Sequence, residues 1–287
     1  MTNTALATIP TNAIDINKAF GFESNKPKPT IPTLKINGAD EEEGVSAPKD
    51  TFVYEDGEHI LYSTEVTIRT FYKGMQYRRY DSKDKTKNDM SIIANTFNAE
   101  FRSISGRLAC GKIANKKFAE LGSLATTEQK ELQDSVKCKL ILMGMVSGKF
   151  TNVDTKEEVV MEDKLFIWVT PQSAFMPLDQ VIKGIEKERR AIPCTKIKLK
   201  LKKEKQGQVT YFIPQPEVLS DVVNLSAEVD LPSLAKINKY IADNNAHVNS
   251  KYDEALKIKS LDSNFATAGE ILEGKKINDD FGSDIPF

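Results

Sequence analysis

The alternation of lysine with aliphatic residues between positions 196 and 202 constrains the fold more than any other feature. Lysines occupy every second position and aliphatic residues lie between them: Lys196, Lys198, Lys200 and Lys202 against Ile197, Leu199 and Leu201. A period of two predicts a strand with one lysine face and one core face. Gln206-Gly207-Gln208 predicts a turn into a second strand at residues 209–213, so this region is expected to form a hairpin.

Other segments share the β-branched, aromatic and aliphatic composition of strands. They are residues 61–80, interpreted as two strands joined by a turn at Lys73-Gly74, residues 136–146, and residues 164–169 before Pro171. Residues 31–36 predict an edge strand, a position in which proline is tolerated.

Helical signals are fewer. Thr126 and Gln129 have the spacing of a capping box, which predicts a short helix ending near Ser135. A second short helix is expected at residues 179–190. From Pro216 onward the pattern becomes helical, and at residues 230–259 apolar positions recur at steps of three, four or seven.

The formal net charge of −1 hides an uneven distribution. Residues 40–58 hold eight acidic residues and one lysine, and residues 262–287 hold six acidic residues and two lysines. The remainder of the chain carries 37 basic and 27 acidic residues. A basic body with acidic ends is typical of a protein that binds a polyanion.

Cations and aromatic rings are concentrated between residues 69 and 80. Single-stranded nucleic acid is held by cations beside rings on which bases stack, so we interpret this segment and the lysine strand as a binding surface. The candidate residues are Arg69, Tyr72, Lys73, Tyr77, Arg78, Arg79, Tyr80, Arg107, Lys112, Lys139, Lys196, Lys198, Lys200 and Lys202. We expect Arg69, Tyr77, Arg78, Arg79 and Tyr80 at the surface.

Each of these signals has a structural alternative. Some of the aromatic residues must fill a β-core, because alternate strand positions face inward. The lysine strand fits protection of an exposed sheet edge as well as it fits phosphate binding. Trp168 lies in an apolar run, which favours a core position over a stacking platform.

Patterns for catalysis and metal binding are sparse. His59 and His247 have no recognisable spacing to a nucleophile or an acidic cluster, and residues 106–112 are too irregular for a phosphate-binding loop. Cys110, Cys138 and Cys194 are odd in number and lack C-x-x-C spacing, so buried free thiols are expected. We therefore expect a protein that is not an enzyme and uses no cofactor or metal.

The sequence also bears on localisation. No apolar run is long enough to span a bilayer, and residues 1–20 lack the charged-then-apolar order of a signal peptide. We expect a cytoplasmic protein with no membrane partner.

The last nine residues combine carboxylates with an apolar end. They include Asp279, Asp280, Asp284, Ile285, Pro286 and Phe287. A terminal phenylalanine ring can enter an apolar pocket of a partner while the carboxylates meet its basic groups. The alternative is a solvated acidic tail that provides solubility.

This tip resembles the acidic tip of bacterial and phage single-stranded-DNA-binding proteins, which typically ends in Asp-Ile-Pro-Phe. The resemblance implies that the six tip residues dock replication, recombination or repair enzymes, and that the body is an oligonucleotide-binding (OB) barrel. The body is longer than the usual bacterial form, carries the helical region at 230–259 and lacks a Gln/Gly/Pro-rich linker. The chain is thus more similar to divergent phage members, for which the compartment would be the host cytoplasm.

These observations predict a mainly β protein with an OB-fold-like five-stranded barrel and added helices. Its expected parts are a flexible N-terminal arm (1–50), an OB-like domain that binds single-stranded DNA (51–216), a helical extension packed on the barrel (217–260) and a disordered acidic tail (261–287). The expected function is to coat and protect single strands without sequence preference and to recruit enzymes through the tip. The alternatives are a strand-annealing or recombination-mediator protein, a metal-dependent nuclease, and an assembly protein whose tail docks a partner without nucleic acid. Oligomeric state, with a homodimer as one alternative, and the choice between DNA and RNA stay open.

Overall fold

The computed structural model describes residues 31–38, 47–81, 84–207 and 209–273, with side chains described in these ranges except at 206, 209 and 259–273. The strands in these ranges are β1 (Thr33–Asn37), β2 (Thr51–Glu55), β3 (Ile60–Ser63), β4 (Glu65–Arg79), β5 (Asp89–Met90), β6 (Val136–Asn152), β7 (Glu158–Val169), β8 (Thr195–Gln206) and β9 (Val209–Val222). The α-helices are α1 (Asn115–Leu121), α2 (Thr127–Ser135), α3 (Gln172–Lys187) and α4 (Asp230–Glu273).

Five strands close into a barrel. Strands β1, β2 and β3 form an antiparallel meander, and β1 also pairs in parallel with β7. Strand β7 pairs with β6, and β6 pairs with β3, which completes the ring. The prediction of a mainly β protein with a five-stranded barrel and added helices is confirmed, and the structure also has strands outside the barrel.

Strand β1 corrects the prediction for the start of the chain. It is a strand of the barrel wall and lies between β2 and β7. The sequence pattern instead predicts an edge strand within a flexible arm. Ile31 and Leu34 are almost fully buried, so this segment is part of the core. The other parts of the predicted arm, residues 1–30 and 39–46, lie outside the described residues.

The sheet continues outward from the barrel through β4, β8 and β9. Strand β4 is one continuous strand, so the predicted turn at Lys73-Gly74 is wrong. The ring of Tyr72 lies over Gly74, where an added Cβ would come within 2.6 Å of the ring. Glycine therefore provides room for the tyrosine and does not mark a turn.

Two apolar clusters pack on opposite faces of the sheet. One contains Phe52, Phe150 and Trp168 and is covered by α3. The other contains Ile141, Met143 and Ile237 and is covered by α4. Strand β6 contributes to both, because alternate residues of its apolar run face opposite sides, which confirms the predicted burial of both faces.

Helix α4 is fixed on the sheet by polar contacts as well as by apolar packing. The side chain of Asn245 accepts from the Ile93 N–H and donates to the Ile93 carbonyl, both at 2.8 Å. Arg102 lies 5.3 Å from the centre of the Tyr252 ring, a cation–π contact. The predicted helical extension on the barrel thus corresponds to the first part of α4.

Three boundaries differ from the sequence prediction. Helix α3 begins at Gln172 and not at 179, with Pro177 inside it. Strand β9 continues through Pro214 and Pro216 to Val222, where the sequence predicts helix, because proline is tolerated at the sheet edge that β9 forms. Residues 261–273, predicted as disordered tail, continue α4. Residues 274–287 lie outside the described ranges.

Other local predictions are confirmed. The capping box is present, with the Thr126 hydroxyl accepting from the Gln129 N–H and the Gln129 side chain accepting from the Thr126 N–H. The lysine hairpin forms as β8 and β9. None of the described helices has both the length and the apolar sequence required to cross a membrane.

Candidate nucleic-acid interface

A basic cleft of about 790 Å³ lies at one end of the barrel, where β4 ends, β6 begins and β7 ends. Five cationic residues from three strands line it: Lys35, Arg78, Arg79, Lys137 and Lys139. The acidic residues in its lining are Asp89 and Asp134. Asp89 is buried and accepts hydrogen bonds from the hydroxyl groups of Ser103 and Ser105. We call this concavity the basic cleft.

Strand pairing brings Arg78 of β4 and Lys137 and Lys139 of β6 to the same face, whereas Arg79 pairs with Val136 on the other face. Arg78 pairs directly with Lys137, and Gln76 pairs directly with Lys139. Directly paired residues of antiparallel strands point to the same side of the sheet. The Arg78 Nε donates to the Gln76 side chain at 2.6 Å, and Gln76 in turn donates to the Ser91 carbonyl at 2.8 Å, so Arg78 is held in place by its neighbours.

A β-bulge in β4 determines this arrangement. The pairing with β6 shifts register between Thr70 and Tyr72, so odd-numbered residues before the shift share a face with even-numbered residues after it. Arg69 and Arg78 therefore lie on the same side of the sheet, the side that α4 covers. Gly144 permits the close approach, since an added Cβ would lie 1.9 Å from the Arg69 carbonyl oxygen.

The cations of the basic cleft repel one another. Burial, and then the charges of Arg78 and Lys137, lower the pKa of Lys139. Burial also lowers the pKa of Arg78, opposed by Tyr240 of α4. Next to the cleft, burial and the charge of Lys137 lower the pKa of Lys112, whose ammonium group donates to the Val136 carbonyl at 3.0 Å. An anion bound here would relieve this repulsion.

Four of the five cations that line the cleft are not ion-paired to any described residue. Within the described ranges, Arg78, Arg79, Lys137 and Lys139 have no carboxylate partner within ion-pair distance. Lys35 is the exception in the cleft and pairs with Glu55. Unpaired cations in a concavity raise the local concentration of anions, because the field is focused there.

Buried polar atoms without hydrogen-bond partners also concentrate at the cleft. Of the seven such side-chain atoms found among the described residues, four belong to cleft-lining residues: Arg79 Nε, Ser135 Oγ, Trp168 Nε1 and Thr170 Oγ1. Each of these groups can donate a hydrogen bond. Unsatisfied buried donors are uncommon in folded proteins, which makes their concentration at one place informative.

Four of the predicted binding residues come together in this region. Arg78, Arg79 and Lys139 line the cleft, and so does Tyr80, whose side chain is exposed. Trp168 is also in the lining but is fully buried, with its ring edge-on to Phe52 at 6.0 Å. The prediction of Trp168 as a core residue is confirmed.

Other predicted residues have structural contacts instead. Arg69, expected at the surface, is buried, and its guanidinium group binds Asp230 and Asp163. Lys73 pairs with Asp179 of α3 at 3.2 Å. The placement of Arg69 corrects its predicted surface position, because strand alternation alone does not reveal the bulge or the helix that covers this face. The binding role of Lys73 stays a prediction.

The predicted aromatic and loop residues are also engaged. Tyr72 packs in the cluster under α4. Tyr77 is half-buried, with its ring 5.0 Å from that of Phe101, so only part of its ring is at the surface. Arg107 pairs with Glu128 at 3.5 Å on an exposed surface.

The lysine face of β8 is separate from the basic cleft. The expected alternation is present, with Ile197 and Leu199 fully buried. Lys198 and Lys200 both bind Glu65 of the neighbouring strand, and Lys202 binds Glu204. Together with Lys196, these residues are absent from the cleft lining. The charges of Lys198, Lys200 and Lys202 are partly neutralised by these ion pairs.

Among the cleft residues that the sequence analysis does not identify as candidates, four carry an ammonium or a hydroxyl group: Lys35, Lys137, Ser135 and Thr170. The sequence pattern places Lys35 in the arm and Lys137 in an apolar strand. A signal exists for Lys137, because Lys137 and Lys139 alternate with apolar Val136, Cys138 and Leu140 at the start of β6.

The three cysteines are free, as predicted. Cys110 is buried, while Cys138 and Cys194 are half-buried. The residues that the structure describes contain no group of three His, Cys, Asp or Glu side chains arranged to hold a metal ion.

The predicted partner-docking tip, residues 279–287, lies outside the described residues. No protein-family model, curated protein or solved structure matches this chain.

Proposed function

We propose that this protein binds single-stranded DNA with little sequence preference, using the basic cleft as its main contact with the phosphate backbone. In this proposal the protein coats and protects exposed strands during replication, recombination and repair. The terminal residues 279–287 recruit partner enzymes, as their resemblance to the tips of single-stranded-DNA-binding proteins implies.

One observation carries the proposal: the cleft concentrates cations that have no counter-ion in the described ranges, whereas several basic residues elsewhere are paired. Arg69, Lys73, Lys198 and Lys200 all bind carboxylates. Arg78 and Lys139 are partly desolvated, and their mutual repulsion is relieved when phosphates approach. The exposed ring of Tyr80 at the same place supplies a surface on which a base can stack.

The test is a fluorescence anisotropy titration of the full-length chain with single-stranded DNA, duplex DNA and RNA over a range of salt concentrations. Replacing Lys137 and Lys139 by Gln should weaken binding and flatten the plot of log K against log salt by roughly 0.7 for each phosphate that the variant no longer neutralises. The matched control replaces Lys198 and Lys200 by Gln, which removes the same charge from residues that already bind Glu65.

The control variant should keep the wild-type slope. Equal flattening in the two variants would place the DNA along the β8 lysines and refute the role of the cleft. Absence of salt-sensitive binding to any oligonucleotide would refute the proposed function itself.

A further inference from the structure

Three cations of the basic cleft form a cluster on one face of the sheet, because Arg78 lies directly opposite Lys137, and Lys139 is the next residue of β6 on the same face. Lys35 comes from β1, Arg78 and Arg79 from β4, and Lys137 and Lys139 from β6. An internal phosphodiester carries a single negative charge, and successive phosphates are spread along the strand. Convergent cations suit a ligand that concentrates more charge at a single point.

We propose that the basic cleft binds a phosphomonoester and that, on single-stranded DNA, it takes the terminal phosphate of a strand end. This inference rests on the proposed function and adds a preferred position on the strand. A phosphomonoester carries about −1.5 to −2 charges at pH 7 and three strong acceptor oxygens, so it gains more from clustered cations than a diester does.

The unsatisfied polar groups of the cleft fit this ligand. Arg79 Nε and Trp168 Nε1 can only donate hydrogen bonds, and neither has an acceptor in the described structure. Ser135 and Thr170 add two hydroxyl groups that also lack partners among the described residues. All four groups are buried behind the cleft surface, so they reach a ligand only when the lining side chains move; groups that donate favour a ligand rich in acceptors, and an ionised terminal phosphate has only acceptor oxygens.

The rim of the cleft offers a contact to the nucleoside that carries this phosphate. Tyr80 follows Arg79 directly in the chain, and 74 % of its surface is exposed. With the terminal phosphate among the cations, Tyr80 offers its ring to the last base, a contact that tolerates any base.

The experiment compares three forms of one internally labelled oligothymidine: with a 5′-phosphate, with a 3′-phosphate, and with hydroxyl groups at both ends. Anisotropy titrations use the full-length wild type, Arg79→Gln, Lys137→Gln and the control Lys200→Gln. We expect wild type and the control to bind at least one phosphorylated form about tenfold more tightly than the unphosphorylated form. Arg79→Gln and Lys137→Gln should abolish most of this preference, and Lys137 is exposed, so its replacement leaves the core intact.

Intrinsic fluorescence gives an independent readout, because Trp168 is the only tryptophan in the sequence and lies in the cleft wall. Its emission should change more with the phosphorylated oligonucleotide than with the unphosphorylated one. Thymidine monophosphate serves as the competitor. If it displaces the phosphorylated strand at equal affinity, the ligand is a free nucleotide, and the assignment to strand ends is overturned.

The failures of the two proposals are distinguishable. Equal, salt-sensitive binding of all three forms overturns the phosphomonoester site and leaves the proposed function standing. A preference for phosphate that persists in both cleft variants places the site elsewhere and also overturns the inference. No salt-sensitive binding of any form refutes both.

Discussion

The buried ion pair between Arg69 and Asp230 predicts how strongly α4 is held on the sheet. The two side chains are 3 % and 4 % exposed, and two hydrogen bonds of 2.8 and 3.2 Å join the guanidinium group to the two carboxylate oxygens. Asp230 is the first residue of α4 and also accepts from the Ser226 N–H at 2.8 Å. Replacing Asp230 by Asn keeps the shape of the side chain and removes its charge.

The expected destabilisation follows from leaving a buried guanidinium group with one remaining carboxylate. Removing one partner of a buried pair costs about 3–5 kcal/mol of unfolding free energy, because the other charge stays desolvated. For a chain of this size, each kcal/mol corresponds to roughly 2 °C in Tm, so Asp230→Asn should melt about 6–10 °C below the wild type. The decrease should be seen in urea denaturation at pH 7 as well as in a thermal scan.

Asp163 provides the matched control. It also binds Arg69, at 3.1 Å, but its side chain is 41 % exposed, so water can replace it. Asp163→Asn should cost no more than about 1 kcal/mol. If Asp230→Asn destabilises the protein no more than Asp163→Asn does, Arg69 does not depend on Asp230, and the anchoring role assigned to this pair is refuted.

Three further outcomes are expected. Burial raises the pKa of Asp230, but the contacts with Arg69 and Ser226 outweigh burial and hold the pKa below its usual value of 3.8. The ionised carboxylate therefore stabilises the folded state fully above that pH. In urea denaturation, the difference in unfolding free energy between wild type and Asp230→Asn should shrink as the pH falls below about 4. Gly74→Ala should cost about 1–3 kcal/mol in the same assay, because its Cβ meets the Tyr72 ring, whereas Gly184→Ala in α3, with nothing within 4 Å, should gain about 0.5–1 kcal/mol. Burial raises the pKa of Cys110, so iodoacetamide at pH 8 should modify Cys110 in the native protein far more slowly than in urea, as mass spectrometry of peptides would show.

Features that depend on neighbouring residues could be predicted from the sequence. The capping box of α2 needs two residues three positions apart, and the alternation in β8 needs no knowledge of its partners. The apolar residues beside Trp168 are enough to predict its core position. In each case the information lies within a few positions, and the tertiary structure agrees with the local preference.

Features that depend on distant pairing could not be predicted. The position of β1 inside the barrel comes from pairing with β7, more than a hundred residues away. The register shift after Thr70 reverses which residues of β4 face α4, and the compensating residue, Gly144, lies on another strand. The basic cleft is likewise formed by residues as far apart as Lys35 and Lys139. Composition predicted an excess of basic residues outside the acidic ends, but not the location of the unpaired cations in the fold.

The distribution of charge partners separates the residues that stabilise the fold from those available to a ligand. Arg69 and Lys73 each bind a carboxylate of a helix that covers the sheet, so their charges hold α4 and α3 in place. Lys139 is half-buried next to Arg78 and Lys137, and its charge opposes folding. Lys139→Met should therefore raise the unfolding free energy slightly, by about 0.5 kcal/mol, since the lysine is partly exposed and salt screens the repulsion. The same substitution should weaken DNA binding, and measuring both quantities on one variant tests the argument. If the variant is less stable than the wild type instead, Lys139 contributes to the fold, and its repulsion from Arg78 does not support a binding site.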